Sequence, residues 1–251
     1  MGAHKNMILS MLEKSMKREK GFALLIDPDK SDQDYLDKCV YLAVEAKAKF
    51  ILVGGSLVFN PLEPVFKRLR KMTDLPLVLF PGSALQVCSE ADGILFLSLI
   101  SGRNPEYLIG NHVVAAPFLK KHDLEIISTG YMLIDGGQTT AVEYISQTRP
   151  IPANKPDLAV ATALAGEMLG NKLIYMDAGS GASRPVSPEI IKAVSSAINV
   201  PLIVGGGIRS AKEALAAYQS GADVVVVGNK VEENPEFLAE INEARIQANS
   251  Q

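Results

Sequence analysis

Short apolar runs without polar alternation recur along the whole chain. They fall at residues 22–26, 50–53, 77–80, 94–99, 125–128, 173–176, 202–204 and 224–227. Strands buried on both faces read this way, and parallel sheets are built from them. Segments with helical spacing separate most of the runs. Tyr35, Leu36, Cys39, Val40, Ala43 and Val44 form one apolar stripe behind the first run. Asn104-Pro105-Glu106, Ser187-Pro188-Glu189 and Asn234-Pro235-Glu236 share a helix-start grammar. A capping side chain precedes Pro, and an acid lies in the first turn. Met7, Ile8, Met11, Leu12 and Met16 predict an amphipathic helix ahead of the first strand.

Eight strands alternating with helices predict an α/β architecture, a closed (β/α)8 barrel. The 251 residues suit one such domain spanning 1–251, since this fold takes about 250. A doubly wound sheet would carry its Gly-rich signature after the first strand. Here the glycines come late. One unit is irregular. Only residues 81–92 separate the third and fourth strands, and a crossover with its helix needs at least about 10–12. The helix there is short or replaced by a loop, which leaves a gap in the outer wall. The connection from 135 to 171 is long. Its start, Gly136-Gly137-Gln138-Thr139-Thr140, reads as a loop over the active face.

Composition narrows the function classes. A net charge of −3 without a basic block argues against nucleic acid as a main partner. Cys39 and Cys88 form no C-x-x-C pair or His/Cys cluster, so a disulfide framework and a structural zinc site are not expected. A reducing cytoplasm fits. Lys14, Lys17, Arg18 and Lys20 follow the first apolar positions, the wrong order for a secretion signal. No apolar stretch approaches the roughly 20 residues of a bilayer span.

In this architecture, groups at C-terminal strand ends face the active site. The rule selects Asp27, Asp29, Ser56, Tyr131 and Asp177. It also selects the glycines after the last three strands: Tyr175-Met176-Asp177-Ala178-Gly179-Ser180-Gly181, then Gly205-Gly206-Gly207-Ile208-Arg209-Ser210, then Gly228-Asn229. Strand-end glycines let backbone N–H groups approach an anion, and helix N-termini favour it. Three neighbouring loops of this kind predict one phosphate cradle. Asp27 and Ser56 suggest Mg2+, which prefers hard oxygens and keeps several waters. Asp177 is the candidate base for a substrate hydroxyl. Blander readings stand beside these. Asp27 and Asp29 can cap an Asp-Pro turn, the glycines can make tight turns, and Arg209 can be a solvated first-turn residue. His112 reads as structural, and His4 and His122 as exposed. On the residues alone, the cradle serves a phosphate-sugar enzyme or a non-catalytic phosphate-ligand barrel as well as a transferase.

Taken together and in order, Leu25-Ile26-Asp27-Pro28-Asp29-Lys30, Val53-Gly54-Gly55-Ser56, Asn104–Gly110, Ser128-Thr129-Gly130-Tyr131, Tyr175–Gly181, Val204–Ser210 and Gly228-Asn229 resemble the geranylgeranylglyceryl phosphate synthase family, which includes the bacterial PcrB proteins. The resemblance covers nearly the whole chain. It implies a modified TIM barrel in which a loop replaces the third helix. It implies transfer of a prenyl group, geranylgeranyl by preference, from its diphosphate to the 3-hydroxyl of sn-glycerol 1-phosphate. By the same carry-over Asp27 and Ser56 hold Mg2+. Tyr175, Met176, Asp177, Ala178, Gly179, Ser180, Gly181, Gly206, Gly207, Gly228 and Asn229 hold glycerol phosphate, and Asp177 and Tyr131 serve catalysis. Homo-oligomers are usual in the family, and the amphiphilic donor implies peripheral contact with a membrane. One position departs from the pattern: Asp177 stands where the family usually has glutamate, which is one methylene longer.

Overall fold

The strands form where the apolar runs predict them. β1 (Gly21–Ile26), β2 (Phe50–Val53), β3 (Leu77–Leu79), β4 (Gly93–Leu99), β5 (Glu125–Leu133), β6 (Leu173–Asp177), β7 (Leu202–Gly205) and β8 (Val224–Val227) pair in parallel in sequence order, and β8 closes on β1. The computed structural model describes residues 7–17, 19–30 and 33–250. His4 and Arg18, noted in the sequence, lie outside these, and of Lys17 only the backbone is described.

Ten helices are described: α1 (Met7–Lys17), α2 (Gln33–Glu45), α3 (Leu62–Met72), α4 (Asn111–Lys121), α5 (Ala141–Ser146), α6 (Pro156–Met168), α7 (Pro188–Ser195), α8 (Ala211–Gln219), α9 (Asn229–Glu233) and α10 (Phe237–Asn249). No helix separates β3 from β4, so the outer wall is open there, as the spacing predicts. None of the described helices is long and apolar enough to cross a membrane.

The strand period of two sorts side chains into two cores. Ala23, Phe50, Leu52, Val78, Leu95, Ile127, Tyr131, Tyr175, Ile203 and Val226 fill the barrel. Ile26, Ile51, Val53, Met132, Met176, Val204 and Val227 face the helices. The amphipathic first helix plugs the barrel floor. Ile8 and Leu12 of α1 are buried in the interior cluster. The buried Glu125 carboxylate accepts the Ile8 and Leu9 N–H groups, both at 2.7 Å. Ser15, not Met16, completes the buried stripe, and Met7 is exposed. On α2, Leu36, Cys39, Val40 and Ala43 are buried while Val44 turns outward.

Boundaries differ from the sequence reading at the fifth strand and at two helix starts. The fifth strand continues past residue 128 to Leu133, so Tyr131 lies within it and not beyond it. Gly130 lies inside this strand and permits close packing. A Cβ there would come within 2.8–2.9 Å of Ile100, Asn171 and Ile174. The three helix-start signals also diverge. Ser187 caps α7 through its hydroxyl and Ile190 N–H. Asn104 accepts from Glu106 N–H and opens one turn of π-helix, Glu106–Gly110, ahead of α4. Asn234 accepts from Glu236 N–H, and α10 begins only at Phe237.

Candidate functional site

The ends of β1, β2, β5, β6, β7 and β8 surround a cavity of about 270 Å³. Its wall includes Asp27, Ser56, Tyr131, Tyr175, Asp177, Ser180, Gly181, Gly206, Gly207, Gly228 and Asn229. Most of the predicted site residues therefore meet in one place. Met176 and Ala178 do not face it. Strand alternation turns their side chains into the outer core, where both are buried. Asp29 has a structural role. Its carboxylate accepts the N–H groups of Phe59 and Asn60 at 2.7 and 2.8 Å. That staples the Asp27–Lys30 turn to the loop following Ser56.

Asp177 is the innermost acid. It ends β6 two residues above Tyr175 and is 7% exposed. Tyr131 O–H donates to its Oδ2 at 2.6 Å, and Gly179 N–H donates to its Oδ1 at 2.7 Å. Burial raises its pKa, and the two hydrogen bonds oppose that rise. Burial, then the adjacent Asp177 charge, pushes the Tyr131 phenol well up, so Tyr131 stays protonated and acts as a donor. Each carboxylate oxygen retains a further lone pair for an incoming hydroxyl.

Beside Asp177 the backbone turns into left-handed space. Gly179, Gly181, Gly206 and Gly207 all have φ between 72° and 88°. At Gly206 a side chain has no room. A Cβ would lie 2.4 Å from Asp177 Oδ1 and 2.6 Å from Gly179 N. Ser180 donates to Asn229 Oδ1 at 3.0 Å, joining the loops after β6 and β8. The short α9 follows β8, where this architecture often places an extra helix at a phosphate site. The 136–140 segment covers the cradle as predicted: Gln138 donates to Gly181 O, and Arg184 N–H donates to Gly136 O at 3.0 Å. Arg209 is an exposed residue on the wall, and its guanidinium donates to Ala182 O at 3.0 Å.

At the other end, Asp27 and Ser56 lie on adjacent strand ends. A Cβ on Gly55 would sit 3.8 Å from the Asp27 carboxyl carbon. The Asp27 carboxylate accepts Asp29 N–H at 3.1 Å through Oδ1 and faces Lys30 Nζ at 3.2 Å through Oδ2. Glu232 of α9 stands behind, 3.7 Å from the same ammonium. Burial raises its pKa, and the Lys30 charge works against this. Sequence reading missed Glu232. A carboxylate in Lys-Val-Glu-Glu looks like a solvated helix face, and only the α9 turn brings it inward.

Phe80 was also missed as a site residue. It ends the third apolar run and stacks on Tyr175 at 5.1 Å, with Tyr131 6.1 Å away. These three rings divide the cavity from an apolar groove at the wall gap. The inner groove, about 90 Å³, is bounded by Phe80, Val87, Phe96, Tyr107, Ala115 and Ile145 among others. An outer groove of about 620 Å³ continues past Val87 and Tyr107 to exposed Leu57, Phe59 and Leu85. His112 lines the inner groove, edge-on to Phe96, and its Nε2 is 3.1 Å from Ser98 Oγ. Burial lowers its pKa, so it is a neutral wall residue. His122 is exposed, as expected.

Fold and site together define a (β/α)8-barrel protein with an acid-floored, glycine-rimmed pocket beside an apolar groove. A profile of the PcrB family matches residues 14–245. The chain belongs to the PcrB family. It is similar to the geranylgeranylglyceryl phosphate synthase of Spirosoma linguale, with 53% identity over 223 residues, 88% of this chain and 90% of that one. The enzyme of the same name from Chitinophaga pinensis is 48% identical over 242 residues, 96% of each chain. Among solved structures, (S)-3-O-geranylgeranylglyceryl phosphate synthase from Thermoplasma acidophilum, in complex with its substrate sn-glycerol-1-phosphate, superimposes with a TM-score of 0.90. It is 32% identical and the match covers 95% of this chain and 98% of that one.

Proposed function

We propose that this chain transfers a prenyl group from geranylgeranyl diphosphate to the 3-hydroxyl of sn-glycerol 1-phosphate, forming an ether and releasing diphosphate. One observation carries the reading. The cavity that holds a buried carboxylate under a glycine-rich cradle shares its Phe80 and Tyr131 wall with an apolar groove where the barrel wall lacks a helix. The named activity of the relatives supports it. A phosphate-sugar enzyme has no use for such a groove.

Glycerol phosphate lies with its phosphate on Ser180, Gly181, Gly206, Gly207, Gly228 and Asn229, and its carbon chain points toward Tyr175 and Asp177. Met176, Ala178 and Gly179 shape that segment from behind. Asp177 accepts the 3-hydroxyl proton as the oxygen attacks the allylic carbon. Tyr131 holds the carboxylate in place. The C–O bond to diphosphate breaks, and the leaving group takes the electron pair. The faces of Phe80, Tyr131 and Tyr175 favour the partial positive charge on the allylic carbon. The donor set at Asp27 and Ser56 fits Mg2+: one carboxylate and one hydroxyl beside the same cavity, with other positions left to water and phosphate oxygens. Among the described residues no group of three or more His, Cys, Asp or Glu could hold a metal, which a site resting on two protein oxygens does not require. When bound, Mg2+ neutralises charge growing on the diphosphate.

The same reading includes a cytoplasmic homo-oligomer that meets its amphiphilic donor at a membrane surface. The family resemblance supports the homo-oligomer, the two free cysteines fit a reducing cytoplasm, and the exposed Leu57, Phe59 and Leu85 at the groove mouth support the membrane contact. Two results test the reaction class. Labelled sn-glycerol 1-phosphate should pass into solvent-extractable lipid with a long prenyl diphosphate, and EDTA should stop this. Retention of label in the aqueous phase with every donor would sink the proposal. Ala115→Phe should fill the inner groove and shift preference toward geranyl over geranylgeranyl diphosphate. We expect a change of about tenfold or more in relative kcat/KM, since each buried methylene is worth about 0.8 kcal/mol.

A further inference from the structure

The cavity wall carries three acids, Asp27, Asp177 and Glu232, and three cations, Lys30, Arg209 and Lys230. A phosphate monoester and a diphosphate would bring several negative charges into this balanced site. Arg209 donates to the Ala182 carbonyl, and Lys230 pairs with Glu233, off the wall, at 2.9 Å. Among the described residues, Lys30 differs from them because both its carboxylate partners, Asp27 and Glu232, line the cavity. Its backbone is fixed. Lys30 N–H closes the Asp27–Lys30 turn on Asp27 O at 3.2 Å, and Asp29 and Asn60 bind that turn to the β2 loop. Its side chain is half-exposed, and a lysine carries a compact charge on a flexible four-carbon stem.

The present position of Lys30 conflicts with the proposed metal site, because it faces the Asp27 Oδ2 that a cation would use. Electrostatics resolves the conflict in one direction. A metal at Asp27 repels the ammonium, and a carboxylate must keep it at the pocket. Glu232 stands 3.7 Å from the ammonium. We propose that Lys30 is a binding residue for the departing diphosphate: it exchanges Asp27 for a diphosphate oxygen, and Glu232 is the positioning residue that tethers it through the exchange. The ammonium then faces the leaving group from the β1 side and stabilises the charge left when the C–O bond breaks. No proton is transferred to it. This assignment rests on the prenyl-transfer reading above.

Calorimetry with the full-length protein and inorganic diphosphate in magnesium tests it, with sn-glycerol 1-phosphate as the reference ligand. Lys30→Met should weaken diphosphate binding about tenfold, the equivalent of one charge-assisted hydrogen bond, while glycerol phosphate affinity stays within about twofold. Without substrates, Mn2+ affinity read by electron paramagnetic resonance should rise in Lys30→Met, where a competing cation is gone. It should fall in Glu232→Gln, where Lys30 stays on Asp27, and recover in the double variant. Unchanged diphosphate affinity in Lys30→Met, or equal loss for both ligands, would overturn the lysine assignment. A loss of Mn2+ affinity that persists in the double variant would make Glu232 a direct ligand and overturn the tether. Wild-type turnover is a separate readout, so a failure of the reaction class is distinguishable from a failure of Lys30.

Discussion

Asp177→Asn slows prenyl transfer by about 10²–10⁴-fold and leaves the barrel folded. Asparagine matches the shape of aspartate, and its amide oxygen can still accept from Tyr131 or Gly179. It cannot take a proton. General-base catalysis is worth about 10²–10⁴-fold, so kcat should fall by that order while KM for glycerol phosphate changes little. The pH profile supplies a second signature. Burial raises the Asp177 pKa against its two hydrogen bonds. Below that pKa the carboxyl is protonated and cannot act as base, so kcat/KM should rise with pH through a limb above the ordinary carboxylate range. In Asp177→Asn that limb should vanish from the residual rate. Initial rates across pH, for both proteins, check the two statements together.

Gly206→Ala should be nearly as damaging, for a steric reason. Gly206 has φ +77°, and a Cβ would press on the Asp177 carboxylate and on Gly179 N at once. Backbone strain of this kind costs about 1–3 kcal/mol. Displacing the base and the cradle together should cost a further loss of about 10²-fold in kcat/KM, the scale of a 1 Å misplacement. Gly170→Ala is the matched control. Gly170 also has positive φ, +96°, but a Cβ there would meet nothing within 4 Å. It should lower the melting temperature and leave activity intact. Equal activity losses in the two variants would mean that strain, not the site, explains Gly206.

The fold was legible because a parallel barrel demands eight two-sided apolar strands, and these leave continuous runs in the sequence. The wall gap was legible as a length, since residues 81–92 leave little room for a helix. The fifth strand is longer than its apolar run because Thr129 and Gly130 interrupt the run without ending the strand, and Gly130 serves close packing against Ile100 and Ile174. At the site, strand-end position was enough for Asp27, Ser56, Tyr131 and Asp177. It does not tell which way the Met176 and Ala178 side chains face, which alternation along β6 decides. Glu232 and the groove wall were out of reach. They depend on contacts between β1 and α9, and between the loop after β3 and α4, which lie far apart in sequence.

Product chemistry is the most direct test of the central claim. The protein would be incubated with magnesium, sn-glycerol 1-phosphate and geranylgeranyl diphosphate. The extracted lipid would be dephosphorylated, treated with alkali and weighed by mass spectrometry. The account predicts a geranylgeranylglycerol that survives alkali, the mark of an ether at the former 3-hydroxyl, with one diphosphate released per molecule formed. A base-labile product, a lipid that keeps the diphosphate, or glycerol phosphate recovered unchanged beside folded protein would contradict it.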